Sequence, residues 1–264
     1  MGNVNLHEIL SRFNGFVFDL DGTIYRETKL IDGAKEVFQI FKSLNKKFVF
    51  VSNRTTSTTT QYKEKLNSFG IDCDENQIVT SAEVTRNYLL ENHKDENVFV
   101  IGEVNFINYL KNSGVKIANH KIDIVLVTLD RTLSFEKIYT AQKALQHGAK
   151  FFSANVDLTC PIENDEILDA GYTITALQNL TGRKLELNFG KPSHFITEEI
   201  LKRISLPTNE CILIGDRLET DILMANQNGI SSALVLSGVT KIEQLEFSQI
   251  KPDFVLNSIA DLIK

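Results

Sequence analysis

The sequence predicts an α/β protein, a doubly wound parallel-sheet core into which a second α/β domain is inserted. Three observations predict it. Short apolar runs alternate with stretches of helical period from residue 16 almost to the end of the chain. The runs are apolar throughout, as strands are in parallel sheets covered on both faces. Polar residues suited to chemistry cluster after four of these runs, and the gap between the second and third clusters far exceeds one strand-to-strand crossover.

Taken in order, Phe16-Val17-Phe18 reads as the first strand, closed by the turn-former Asp21-Gly22. Residues 33–44 carry Val37, Phe41 and Leu44 at helical spacing, and 48–51 form a second buried strand. A helix over 58–68 ends at Gly70, a natural residue just past a helix C-terminus. Strand 98–101, a helix to Asn112 with Gly114 beyond it, and strand 122–127 come next. Ser134 reads as the N-cap of a helix running to Gly148, with Lys137 leaving the capping box incomplete. Residues 151–152, a helix over 170–180 and strand 185–189 complete the middle region. A helix over 193–204, strand 211–214, a helix over 220–228, strands 233–236 and 254–255, and a last helix over 258–263 close the chain.

With 264 residues, 42% apolar and 23% charged, the chain has the makings of a globular core, which excludes disorder and collagen-like repeats. Lys plus Arg is 28 against 34 for Asp plus Glu, a net charge of −6 that disfavours nucleic acid as the main partner. Three cysteines, Cys73, Cys160 and Cys211, without any C-x-x-C, fit neither a disulfide framework nor a zinc site and point to a reducing compartment. Cys211 opens an apolar run and reads as core. Residues 1–14 lack the apolar stretch of a signal peptide, and no segment approaches the ~18 apolar residues of a membrane span. The expectation is a soluble, cytoplasmic protein with no membrane partner.

The first cluster is Asp19-Leu20-Asp21-Gly22-Thr23, directly after strand one, where ligands bind in open α/β sheets. Residues two apart on extended backbone point the same way, so Asp19 and Asp21 can face one pocket. Carboxylates that close repel unless one is protonated or a cation intervenes. A calcium EF-hand loop does not fit, because Thr23 and Ile24 stand where an acid or Asn and then Gly are needed. A solvated Asp-Gly turn and a nucleophile with an acid/base partner and a metal both stay open on these residues alone. The second cluster, Ser52-Asn53 followed by Arg54-Thr55-Thr56, offers hydroxyls and main-chain N–H groups for a phosphate, or simply a helix cap. The third, Gly190-Lys191-Pro192-Ser193, is not a Walker A loop, since Leu185 stands where that motif needs Gly. The fourth is Gly215-Asp216 with Asp221 further on; helix-dipole complementation explains Asp221 but not Asp216.

The set D-x-D-G-T, S-N, G-K-P-S and G-D-x-x-x-x-D, in this order on successive strand ends, resembles the haloacid dehalogenase superfamily. Asp21 to Ser52 spans 31 positions, room for a helix and a strand, whereas Asn53 to Lys191 spans 138. An insertion at that place resembles the α/β cap of the NagD-like branch, class IIA, with residues 1–81 and 186–264 as the catalytic core and 82–185 as the cap. The resemblance runs nearly end to end, through Thr80-Ser81-Ala82, Val100-Ile101-Gly102-Glu103, the run 129–134 and Leu236-Ser237-Gly238-Val239. Ser52-Asn53-Arg54 departs from the commoner Asn-Asn sequence and looks more like the arabinose-associated sugar phosphatases. Ala154-Asn155-Val156-Asp157 carries Val156 where many relatives have Pro.

The resemblance implies a Mg²⁺-dependent phosphomonoester hydrolase working on small phosphorylated metabolites, sugar phosphates first. Nucleotides, pyridoxal phosphate and p-nitrophenyl phosphate are the alternatives within the branch. Carried onto matching positions, Asp19 is the nucleophile that forms an aspartyl-phosphate and Asp21 the general acid and base. Asp19, the Asp21 main-chain carbonyl and Asp216 hold Mg²⁺, with Asp221 acting through water. Ser52, Asn53 and Lys191 hold the phosphoryl oxygens. Arg54, and Asp130, Arg131, Asn155 and Asp157 in predicted cap loops, are the candidates to read the substrate. None of His7, His93, His120, His147 and His194 lies in a motif. Family members often dimerise through their caps, so a homodimer is a further expectation. Two other classes compete. A phospho-acceptor module of the receiver type needs neither D-x-D-G-T nor an insertion of ~100 residues, and a phosphomutase or phosphotransferase usually carries its cap after the first strand.

Overall fold

The computed structural model describes residues 6–162 and 165–263. Among the described residues the chain divides into two compact units. The first comprises residues up to Ser52, Thr59–Val79, and Ile196 onward; the second comprises Asn53–Thr58 and Thr80–Phe195.

The first unit is built on a six-stranded sheet in the order Phe254–Leu256, Ser231–Val235, Cys211–Gly215, Gly15–Asp19, Lys47–Ser52, Ile78–Thr80. Gly15–Asp19 pairs in parallel with Cys211–Gly215 on one side and Lys47–Ser52 on the other. The first strand therefore sits where the winding changes direction, and the carboxyl ends of three adjacent strands deliver Asp19, Ser52 and Gly215 to one edge of the sheet. Alternation along the strand sends Phe16 and Phe18 to one face, where Phe38 and Phe41 of the helix Ala34–Ser43 meet them with Phe50. Ring centroids lie 4.4 Å apart for Phe16–Phe41 and 5.1 Å for Phe18–Phe38, edge-on, the arrangement aromatic quadrupoles favour. Cys211 is fully buried and, like Cys73, has its thiol pushed up to about 11 chiefly by burial, so both stay protonated core residues.

The second unit has a four-stranded parallel sheet in the order Leu187–Asn188, Lys150–Ser153, Ile124–Val127, Val98–Ile101. One face packs Ile101, Val125, Val127 and Phe151 under the neighbouring helices Phe135–Gln146 and Ala170–Thr181. Phe152, next in sequence and so on the other face, joins Tyr88, Phe189 and Phe195 in an aromatic group. Ser134 caps its helix as expected, accepting from the Lys137 N–H.

The doubly wound α/β architecture matches the sequence expectation. Differences are local. The strand expected over 185–189 is only Leu187–Asn188, and the last helix is a 3-10 turn, Ile259–Ile263. The helix expected over 220–228 begins as a π-helical turn, Leu218–Ile222, before Leu223–Gln227. Helices Leu6–Arg12, Ser81–Asn92 and Ile242–Phe247 and the hairpin Thr159–Ile162 with Asp165–Leu168 carry no signal the apolar runs revealed. No helix among the described residues is long and apolar enough to cross a membrane.

Candidate active site

In the first unit the acids converge. Asp19 ends its strand, Asp216 follows the strand Cys211–Gly215, and Asp221 lies on the π-helical turn. All three are buried, and a carboxylate oxygen of each lies within 4.8 Å of the others. The π turn has a structural cause, since the main-chain N–H groups of both Asp221 and Ile222 donate to the Arg217 carbonyl, at 3.1 and 3.2 Å. Main-chain N–H groups steady the acids: Val239 donates to Asp216 Oδ2 at 2.7 Å, and Arg217 donates to Asp221 Oδ2 at 3.1 Å.

Space for these carboxylates is made by glycines. A Cβ on Gly215 would overlap the Asp221 carboxylate, and one on Gly238 would overlap that of Asp216. Gly22 has φ +89, a region L side chains rarely adopt, and a Cβ there would also overlap Asp216. The loop carrying Gly238 is anchored by Ser237, whose hydroxyl donates to the Gly22 carbonyl at 2.8 Å, and by Arg26, whose Nε donates to the Ser237 carbonyl at 2.7 Å. Asp21 is half-buried beside this turn, with Gly22 N–H donating to the Tyr25 carbonyl at 2.8 Å. Three buried carboxylates with no His or Cys among them form an oxygen-only donor set. Such a set fits a hard divalent cation, whose charge would offset the repulsion among three carboxylates held this close.

Ser52 is buried at the end of its strand with its hydroxyl 3.1 Å from that of Tyr62, a partner no sequence motif signalled.

Asn53 and Lys191, the other residues expected to hold phosphate, belong to the second unit, and both are buried. They are tied together there. Lys191 N–H donates to Asn53 Oδ1 at 2.7 Å, and Asn53 Nδ2 donates to the Lys191 carbonyl at 3.1 Å. Arg54 is half-buried and close enough to Arg131 for their charges to oppose each other. Arg131, largely exposed, forks onto Glu103 at 2.5 and 2.8 Å, and the guanidinium holds that carboxyl below its usual range. Asp130 turns inward: one oxygen accepts from the Thr132 N–H and hydroxyl, and the other pairs with Lys137 at 2.5 Å. Asn155 is buried with both amide hydrogens donated, and Asp157 accepts from Asn155 and Asn53. His7, for its side chain, lies outside the described set.

Comparison with known proteins places this geometry. Residues 16–116 match the family of haloacid dehalogenase-like hydrolases, and residues 188–262 match a second, HAD-hydrolase-like family. The sugar-phosphatase AraL of Bacillus subtilis is 36% identical over 252 residues, 95% of this chain and 92% of the relative. Among solved structures, a 4-nitrophenylphosphatase from Thermotoga maritima superposes with a TM-score of 0.89 at 32% identity, covering 96% of this chain and 97% of that one. NagD from E. coli K-12 does so with a TM-score of 0.82 at 25% identity, covering 94% and 97%. The chain belongs to the haloacid dehalogenase-like hydrolases. It is a phosphatase of their NagD-like branch, class IIA.

Proposed function

We propose that this phosphatase is a Mg²⁺-dependent hydrolase of small phosphomonoesters, sugar phosphates foremost, acting through a phosphorylated Asp19. The observation that carries the reading is the convergence of three buried carboxylates, two at adjacent strand ends and one on the π-helical turn that follows, an oxygen-only set in a family of hydrolases. The sugar-phosphate preference rests on the 36% identity to a protein named as a sugar phosphatase.

In this reading Asp19, Asp216, Asp221 and the Asp21 main-chain carbonyl hold Mg²⁺. When bound, the ion offsets the repulsion between a carboxylate nucleophile and a phosphate dianion. An Asp19 carboxylate oxygen attacks phosphorus while the ester P–O bond breaks, and Asp21 gives its proton to the departing oxygen. Water then attacks the aspartyl-phosphate, passing a proton to Asp21 as the bond from phosphorus to Asp19 breaks, which releases inorganic phosphate and restores both acids. Ser52, Asn53 and Lys191 hold the phosphoryl oxygens. Residues 82–185 act as the cap that supplies selectivity among leaving groups, with the guanidinium of Arg131 from the cap and that of Arg54 from outside it as polar contacts. The reaction proceeds in the cytoplasm.

Phosphate release from a panel of sugar phosphates, nucleoside monophosphates, pyridoxal phosphate and p-nitrophenyl phosphate tests this, with Mg²⁺ and with EDTA. Sugar phosphates should lead in kcat/KM, and EDTA should abolish activity until Mg²⁺ is restored. Full activity in EDTA would overturn the metal assignment. A nucleotide at the head of the ranking would overturn the substrate assignment alone.

A further inference from the structure

Asn53, Asn155, Asp157 and Lys191 form a closed arrangement within the second unit, and its hydrogens can be counted. A primary amide has two donor hydrogens and one acceptor oxygen. Asn53 gives one hydrogen to the Lys191 carbonyl at 3.1 Å and the other to Asp157 Oδ2 at 2.8 Å, and its own oxygen accepts from Lys191 N–H at 2.7 Å. Asn53 thus grips the Lys191 main chain from both sides. Rotating the amide by half a turn would set N–H against N–H and oxygen against oxygen at these contacts. Gly190 permits the approach, since a Cβ there would lie 2.7 Å from Asn53 Oδ1 and 2.6 Å from the Ala154 carbonyl.

Asp157 is held in turn. The same Oδ2 accepts from Asn155 Nδ2 at 3.0 Å, and the second Asn155 hydrogen goes to Asp169 Oδ1 at 3.0 Å. Asn155 Oδ1 accepts from the Thr128 hydroxyl at 2.9 Å. That uses the single Thr128 proton, so in the 2.8 Å contact between Thr55 and Thr128 the donor is Thr55. Asp169 also caps the helix Ala170–Thr181, accepting from the Ala170 N–H at 2.5 Å. The chain of bonds runs from a helix N-terminus through Asn155 and Asp157 to Asn53 and Lys191. Asn155, 2% exposed, has no donor left to offer a ligand.

We infer that Asp157 is a positioning residue: its carboxylate fixes the orientation of Asn53, and Asn53 fixes the main chain from which Lys191 reaches phosphate. This reassigns Asn155 and Asp157 from reading the leaving group to holding the phosphate-binding lysine, and it rests on the reading of Lys191 given above. An ionised carboxylate suits the role because it is acceptor-only and binds two N–H groups more strongly than a neutral oxygen.

The test compares wild type with Asp157→Ala, Asp157→Asn and Lys191→Ala. It measures inorganic phosphate affinity by calorimetry in Mg²⁺, hydrogen exchange at the Lys191 amide, and kcat/KM on two phosphomonoesters with unlike leaving groups. Asp157→Ala should bind phosphate about tenfold more weakly, the order seen when a residue orienting a ligand-binding group is lost. It should exchange the Lys191 amide faster and lose activity equally on both substrates. Asp157→Asn keeps an acceptor oxygen and should recover most of each loss; if the Ala variant fails to fold, the graded exchange in Asp157→Asn still reads the coupling. Wild-type phosphate affinity and exchange in Asp157→Ala, or a changed substrate ranking with phosphate affinity intact, would overturn the inference. Wild-type phosphate affinity in Lys191→Ala would instead overturn the reading of Lys191, whatever the Asp157 variants do.

Discussion

In the first unit three carboxylates crowd within 4.8 Å, steadied by two main-chain N–H groups. In the second, Asn53 and Asn155 meet Asp157 with every amide hydrogen donated and each amide oxygen accepting. Both are polar and largely buried, with Asp157 half-buried, yet they solve burial differently. A buried polar group costs free energy unless it is hydrogen-bonded, and a buried charge costs far more unless it is compensated. The amides meet the hydrogen-bonding condition by themselves, so the network holds shape. The acid cluster leaves like charges facing one another, so it is fitted to be completed by a cation. A self-satisfied cluster suits a scaffold, and a cluster short of positive charge suits a binding site.

The largest expected effect breaks the comparison on the acid side. Asp19→Asn keeps the volume and removes the nucleophilic oxygen's charge, so turnover should fall by more than about 10³-fold, the loss typical when a group acting directly in the chemical step is removed. Acid-quench trapping with ³²P-labelled substrate should detect no phosphoenzyme. The structure itself should survive, because relieving one of three like charges does not leave a new charge unpaired. Retention of more than a tenth of wild-type activity would mean the nucleophile lies elsewhere.

A smaller effect comes from filling the space beside the acids without substituting any of them. Gly238→Ala places a methyl group where the Asp216 carboxylate lies. Asp216 or the 237–240 loop must shift, and the N–H from Val239 to Asp216 shifts with it. Mg²⁺ affinity, read by calorimetry, should drop about 10- to 100-fold, the range for disturbing groups that orient metal ligands. Excess Mg²⁺ should restore much of the activity. A variant that binds Mg²⁺ as tightly as wild type would show that the loop yields freely and that Gly238 is not there to make room.

The two regions also differ in how legible they are in the sequence. The acid cluster is local: Asp19 and Asp216 each close a buried apolar run, so a strand pattern and an acid at its end are enough to find them. The amide network is not, because Thr55, Thr128, Asn155, Asp169 and Lys191 come from five separate segments; Lys191 and Asn155 can be picked out as candidates one by one, but nothing in their spacing shows that they are bonded into one network. Asp169 had a signal only as an N-cap before the helix Ala170–Thr181. Gly238 stood in a run noted for resemblance alone, and its reason, a carboxylate against its Cα, exists only in three dimensions. Of the elements, those with long apolar runs were readable, while the paired strands Tyr25–Arg26 and Lys29–Leu30 are too short to show any period.

The smallest effect sharpens the comparison within the second unit, by separating an exposed ion pair from the buried network. Arg131 forks onto Glu103, the residue preceding the helix Val104–Asn112, and its hydrogen bonds hold the Glu103 carboxyl below its usual range. A carboxyl whose value is depressed in the fold contributes stability that is fully present above its unfolded value, about 4.3. That contribution is lost as pH falls through the folded value. The Arg131 side chain is 59% exposed, so solvent screens the pair and its worth is about 0.2–1 kcal/mol. Glu103→Gln should therefore lower the melting temperature at pH 7 and low salt by no more than about 2–4 °C. The gap from wild type should narrow as the pH falls below the unfolded value and on through the depressed folded one, and should shrink in 1 M salt. Hydrogen exchange at the Lys191 amide should not change, because no hydrogen bond of the Asn53–Asp157 network passes through Glu103. A gap that persists unchanged at pH 3 would mean that the pair stabilises through packing and not through charge.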